Sequence, residues 1–129
     1  MPSDVRRSVL VVEDDDVIRD ALRGLLAEAY DVVCVATLAS ARRVLAGIRF
    51  DAVLLDLVLD EEHGEALMHD FAAARIAPAA VVVVSASRMA PTIARAYGVP
   101  FLAKPFEAEA VHAALVRAIE EERVPRTRA

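Results

Sequence analysis

At 129 residues the chain fits a single domain and is long enough to bury a core without disulfide or metal staples. Apolar residues make up 57% and charged ones 27%, a globular balance, and the net charge of −5 excludes broad nucleic-acid binding, which needs a basic face. Arg123, Arg126 and Arg128 near the C-terminus are too few to reverse it. The longest apolar stretch, nine residues from Ile76 to Val84, is far too short to span a bilayer. The opening residues, Met1 to Arg7, lack the apolar core of a signal peptide, and the lone Cys34 cannot form an internal disulfide. A reducing cytoplasm is the expected location, with neither membrane nor nucleic acid as a partner.

Ser8 to Val12 is a short β-branched run, predicted to be a strand, and it ends at four consecutive acids, Glu13 to Asp16. Negative charge at a helix start meets the positive end of the dipole, so Asp15 or Asp16 is expected to cap the next helix; that accounts for one or two of the four. Val17, Ile18, Ala21, Leu22, Leu25, Leu26 and Ala29 recur at helical spacing, with Arg19, Asp20, Arg23 and Glu28 on the other side. Val32 to Ala36 is a second strand, and Thr37 stands where it can cap a helix through Ala41, Val44 and Leu45 that Gly47 closes.

The third strand organises the chain. Ala52 to Leu55 is apolar without alternation, as in a strand covered on both faces, and it stops at a carboxylate, Asp56. An acid there can simply open a turn or cap a helix. A strand end in an open parallel sheet is also where such folds place their chemistry. Leu57 to Gly64 reads as a loop, followed by a helix with Leu67, Met68 and Phe71 on its buried side, and Pro78 ends that connection. Ala80 to Val84 is the most strand-like run, leading to Ser85-Ala86-Ser87, hydroxyls that suit either a helix cap or a site. A short helix from about Pro91 to Tyr97 follows, with proline in its first turn and Gly98 at its end. Pro100 to Ala103 is a brief fifth strand entering Lys104-Pro105, and Glu107 to Glu122 is an amphipathic helix with Val111, Leu115, Val116 and Ile119 inward. Residues 122–129 read as a frayed tail beyond a core of about 8–121. Five strands alternating with five helices imply parallel pairing through right-handed crossovers in one three-layer α/β domain.

In a doubly wound sheet the exits of the first, third, fourth and fifth strands converge, gathering Glu13, Asp14, Asp56, Ser85 and Lys104. Three neighbouring carboxylates repel one another, and a hard divalent cation such as Mg²⁺ relieves that repulsion. A lysine and a hydroxyl beside them suit a phosphoryl group, and Asp56 can serve as its nucleophilic acceptor.

These residues give the chain a specific resemblance. Val11-Val12-Glu13-Asp14-Asp15 with Arg19, Asp56-Leu57-Val58-Leu59 with Gly64, Ser85-Ala86, and Lys104-Pro105-Phe106 together resemble the receiver domain of two-component response regulators, over roughly residues 8–121. The resemblance implies a flavodoxin-like fold, a doubly wound five-stranded parallel sheet in order 2-1-3-4-5 with five helices. It implies that Asp56 accepts phosphate from a histidine kinase or histidine phosphotransfer protein, and that Glu13, Asp14, Asp56 and the Val58 main-chain carbonyl hold Mg²⁺. Ser85 and Lys104 would contact the phosphoryl group, Phe101 would be the aromatic switch that moves inward with Ser85, and Lys104-Pro105 would be cis. The implied downstream partner is a protein target on the face of the fourth helix, fifth strand and fifth helix, and a weak homodimer is compatible with that face.

Three departures from the family pattern stand out. Asp60 replaces the usual proline, adding a charge and freeing a backbone donor. The stretch from Ser85 to Lys104 is two or three residues short, so a clipped fourth helix is expected. No output domain is expected after the last helix in this sequence. His63, His69 and His112 are read as solvated, with only His63 near the site. Two other functions use similar residues. A phosphatase of the haloacid dehalogenase type needs a second acid two positions after the nucleophile, where this chain has Val58. A docking module insensitive to phosphate would be signalled by loss of the acceptor, the acids or the lysine, all of which are present.

Overall fold

The computed structural model describes residues 6–127. Five strands form one parallel sheet: β1 (Arg7–Val12), β2 (Tyr30–Val35), β3 (Ala52–Leu55), β6 (Ala80–Ser85) and β7 (Phe101–Ala103), in the order β2-β1-β3-β6-β7. With β4 (Val58–Leu59) and β5 (Glu62–His63) set aside as a separate two-stranded antiparallel ribbon, this is the expected 2-1-3-4-5 order. The helices are α1 (Asp16–Leu26), α2 (Leu38–Gly47), α3 (Glu65–Ala72), α4 (Ala90–Tyr97) and α5 (Ala108–Glu120).

Strand side chains alternate between faces, and the sheet uses this to build two cores. Val9 and Val11, with Leu54 and Val82, pack under α1 and α5 through Leu22, Leu26, Val111 and Leu115. Leu10 and Val12, with Val53, Leu55, Val81 and Val83, pack under α2, α3 and α4 through Leu45, Leu67, Met68, Phe71 and Ala94. This is why the central strands read as unbroken apolar runs rather than alternating ones. Each fully buried leucine of these cores contributes about 1.5–3 kcal/mol.

Local signals acted where they were expected. Asp15 is the N-cap of α1, its carboxylate accepting from the Ile18 N–H at 3.0 Å, and the Thr37 hydroxyl accepts from the Ser40 N–H at 3.1 Å at the start of α2. Gly98 ends α4 with φ of 75°, a left-handed conformation that costs glycine little. Lys104-Pro105 is cis.

Other expectations need correcting. Gly47 is the last residue of α2 but not a left-handed cap; the chain leaves through Ile48 in an extended conformation. The loop after Asp56 contains the β4–β5 hairpin, with Asp60-Glu61 as its two-residue turn. Val116 is 45% exposed, and Ala118 takes the inward position instead, because a helix packed on one face of a sheet buries only a narrow stripe. His112 is half-buried, stacked on Tyr30 with ring centroids 6.3 Å apart, whereas His63 and His69 are exposed.

The C-terminal segment also departs from the reading of a frayed tail. Among the described residues, 122–127 turn back beneath the sheet after Glu122, whose φ is 50°. The Arg123 carbonyl accepts from the Val81 N–H at 3.0 Å, the Arg126 N–H donates to the Tyr97 carbonyl at 3.1 Å, and Pro125 is buried. Backbone groups at the open lower end of β6 need partners, and the segment supplies them. Residues 128–129 lie outside the described part.

Candidate phosphoacceptor site

The site is assembled at the upper ends of the parallel strands, where ladder hydrogen bonds run one residue past the strands proper. The Glu13 N–H donates to the Val35 carbonyl at 3.0 Å, the Asp56 N–H to the Val12 carbonyl at 3.1 Å, and the Lys104 N–H to the Ser85 carbonyl at 3.1 Å. Each of these residues is thereby fixed in height and direction by the sheet itself.

The structure brings Glu13, Asp14 and Asp56 together, with one carboxylate oxygen from each within 4.8 Å of the other two. Lys104 reaches across from β7: its Nζ lies 2.5 Å from Glu13 Oε1 and 2.9 Å from Asp56 Oδ2. Glu13 and Asp56 are buried, at 2% and 5% exposure, while Asp14 is half-buried. Ser85 is buried at 1% exposure at the end of β6, the strand next to β3 in the sheet. Three acids and one lysine leave the cluster net negative. Oxygen donors of this kind suit a hard divalent cation, so the residues present fit Mg²⁺.

Burial pushes the Glu13 carboxyl above the ordinary value of 4.5, and the Asp56 charge adds to it, against hydrogen bonds from Lys104 and the Asp15 N–H that pull it down. Burial alone would lower Lys104; its hydrogen bonds to Glu13 and Asp56, and their charges, outweigh that and hold the ammonium above the ordinary lysine range.

Every acid of the cluster has one oxygen held by a main-chain N–H. Val58 donates to Asp56 Oδ1 at 3.0 Å, Asp15 to Glu13 Oε2 at 3.2 Å, and Asp60 to Asp14 Oδ2 at 2.8 Å. At the β6 exit the serines shape the turn but do not cap the helix: the N-cap of α4 is Met89, and no side chain caps it. Ser85 Oγ accepts from the Ser87 N–H at 3.1 Å, and Ser87 Oγ accepts from the Met89 N–H at 3.2 Å, shaping the turn into α4.

Phe101 is half-buried on β7 and packs against the core under α4. Val58 lies at the rim, 53% exposed. The ribbon also ties the site to its neighbours: Glu62 Oε1 accepts from the Leu38 N–H at 3.1 Å, at the start of α2.

Two positions carry more than the sequence alone disclosed. Arg19, noted only as part of a motif and of a polar helix face, turns back so that its Nη1 donates to the Glu13 carbonyl at 2.9 Å and the Asp14 carbonyl at 3.3 Å, holding the acidic loop. Its spacing, six residues after Glu13 and one turn into the helix, is the signal that could have indicated this. Gly64 passes so close to the acceptor that a Cβ would lie 2.2 Å from the Asp56 carbonyl oxygen and 2.9 Å from Leu57 Cα, both backbone atoms that cannot step aside. Gly64→Ala is therefore expected to lower stability by about 3 kcal/mol, as overpacking against a fixed backbone does. Urea unfolding would check this; a loss under about 0.5 kcal/mol, the range of an ordinary surface change, would contradict it.

A parallel sheet with this strand order and an acidic pocket answered by a lysine define the receiver class of signalling domain. A family profile for the response regulator receiver domain matches residues 9–116, and the chain belongs to that family. A search of curated proteins found no match. Among solved structures, a sensor protein from Polaromonas sp. JS666 is 27% identical, with 91% of this chain and 98% of that chain covered and a TM-score of 0.79. A receiver domain of a putative LuxO repressor protein from Vibrio parahaemolyticus is 26% identical over 92% of this chain and 96% of that one, with a TM-score of 0.77. A CheY-like receiver domain protein from Methanospirillum hungatei JF-1, at 20% identity, covers 92% and 97% with a TM-score of 0.78 and supports the fold. No helix among the described residues is long and apolar enough to cross a membrane.

Proposed function

We propose that this receiver domain takes a phosphoryl group from a histidine kinase or a histidine phosphotransfer protein onto Asp56 and thereby changes the surface it offers to a downstream protein. The observation that carries this reading is the buried Asp56 carboxylate at the exit of a central strand, bonded to Lys104 and with one oxygen within 4.8 Å of an oxygen from Glu13 and one from Asp14. An Asp56 oxygen attacks the phosphorus of a phosphohistidine; the P–O bond forms as the P–N bond breaks, and the electron pair leaves with the imidazole nitrogen. The protein's share is positioning and charge neutralisation. The Val58 N–H orients the carboxylate through Oδ1, Lys104 neutralises the incoming oxygens, and the Ser85 hydroxyl donates to one of them. Glu13, Asp14, Asp56 and the Val58 carbonyl would hold Mg²⁺, which supplies further neutralisation of the phosphoryl charge. Drawing Ser85 toward phosphate opens room for Phe101 to turn inward, so the α4, β7 and α5 face changes shape; this is the surface assigned to the partner. Transfer and later hydrolysis are self-catalysed, and the domain is a phosphoacceptor rather than a conventional enzyme.

Intact mass after incubation with acetyl phosphate and Mg²⁺ tests the reading. Wild type is expected to gain one phosphoryl group and Asp56→Asn none. Equal phosphorylation of the variant at another residue would remove Asp56 from its role.

The cation assignment has its own test. A ligand that binds only the folded state stabilises by mass action, so millimolar Mg²⁺ is expected to raise the melting temperature of the unmodified protein. Asp14→Ala should abolish the rise. An undiminished rise in that variant would locate the cation elsewhere.

A further inference from the structure

Of the three backbone donors that hold the acids, two are local. Asp15 and Val58 each lie two residues from the carboxylate they serve, a short-range bond that Asp and Glu make routinely. The third is not. The Asp60 N–H that holds Asp14 Oδ2 at 2.8 Å comes from 46 residues away, at the tip of the β4–β5 hairpin. It is also the shortest of the three and the only one of them that joins two separate segments.

This contact depends on the residue type at position 60. Asp60 has φ of 49°, a left-handed conformation that Asp and Asn tolerate better than other side-chain-bearing residues. Proline can satisfy neither requirement: its ring holds φ near −65°, and it has no N–H. The Asp60 side chain itself is exposed. The hairpin is in turn anchored from its other strand, where Glu62 accepts from the start of α2. The donor is thus presented by a fixed element.

We propose that Asp60 is a positioning residue for the cation site, its main-chain N–H occupying one oxygen of Asp14 and holding the half-buried carboxylate toward Glu13 and Asp56. The inference rests on the cation reading above. Hydrogen bonds of this outer kind fix the orientation of a ligating carboxylate, and their loss typically weakens metal binding about 10–100-fold.

The test measures Mg²⁺ affinity by calorimetry for wild type, Asp60→Asn and Asp60→Pro. Asn keeps both the N–H and the left-handed turn and is expected to bind within about threefold of wild type, whereas Pro should bind on the order of tenfold more weakly. Because proline can disturb the hairpin, a second measurement removes the acceptor instead. In metal-free Asp14→Ala, the Asp60 amide should exchange its hydrogen on the order of tenfold faster, the loss of one charge-assisted bond, while Val58 and His63 in the ribbon change little. Equal Mg²⁺ affinity of the Asn and Pro variants, or an unchanged Asp60 exchange rate in Asp14→Ala, overturns the proposal and leaves the cation reading standing. No Mg²⁺ binding by wild type overturns both.

Discussion

Lys104→Met is expected to destabilise the metal-free protein by about 3 kcal/mol at neutral pH. The substitution keeps the apolar stem and removes the charge, leaving Glu13 and Asp56, with side chains only 3% and 6% exposed, without their shared cation. Removing one partner of a buried ion pair costs about 3–5 kcal/mol, and the lower end applies because Lys104 itself is 16% exposed. The loss should also depend on pH. Glu13 already holds its proton more tightly in the folded state than its ordinary value of 4.5 implies. A carboxyl raised in this way favours folding when protonated, so stability falls as pH rises from about 4.5 through the folded value. Without Lys104 to pull it down, that fall is steeper and extends higher. Urea unfolding in a chelator at about pH 5 and about pH 7.5 should therefore show a larger gap between wild type and variant at the higher pH. A gap of the same size at both would mean that lost packing, and not charge, is responsible.

A long-lived aspartyl phosphate is the second expectation. The resemblance to receiver domains implies that the hydrolytic water passes two side chains, Val58, two residues after Asp56, and Ser87, two after Ser85. Val58 is exposed but apolar and offers the water no hydrogen bond. Ser87 is short, and its oxygen already accepts from the Met89 N–H. Misplaced attack costs up to about 100-fold in rate, so Val58→Asn/Ser87→Glu, which supplies an amide and a carboxylate, should lose phosphate on the order of 10–100-fold faster than wild type. Loading both proteins, removing the donor and following the mass adduct with Mg²⁺ present measures this. Wild-type decay as fast as that of the double variant would refute the account and direct attention to Asp60 and Glu62 on the neighbouring ribbon as guides for the water. A slow reset suits a domain that holds a signal or carries phosphate onward, with rapid adaptation left to a separate phosphatase.

Much of this protein follows from local patterns. Unbroken apolar runs such as Ala52–Leu55 and Ala80–Val84 suit strands covered on both faces, so a parallel sheet was legible before any contact was known, while its strand order came from the resemblance to receiver domains. The acids after Val12, the acid after Leu55, the serine after Val84 and the lysine after Ala103 converge because parallel strands present their exits on one edge. Asp15, Thr37 and Gly98 acted as caps because capping is decided within four residues.

What only the tertiary structure decided are contacts between segments far apart in the chain. The ribbon after Asp56 is too short to show a strand pattern, and it exists because Val58–Leu59 and Glu62–His63 pair with each other over the site. The exclusion of a side chain at Gly64 depends on where the Asp56 carbonyl lies, and the bond from Asp60 to Asp14 on how the hairpin folds over the first loop. The segment after α5 is polar enough to read as solvated, yet the unpaired backbone at the lower end of β6 gives it a place to bind, and that need is visible only once the sheet is assembled.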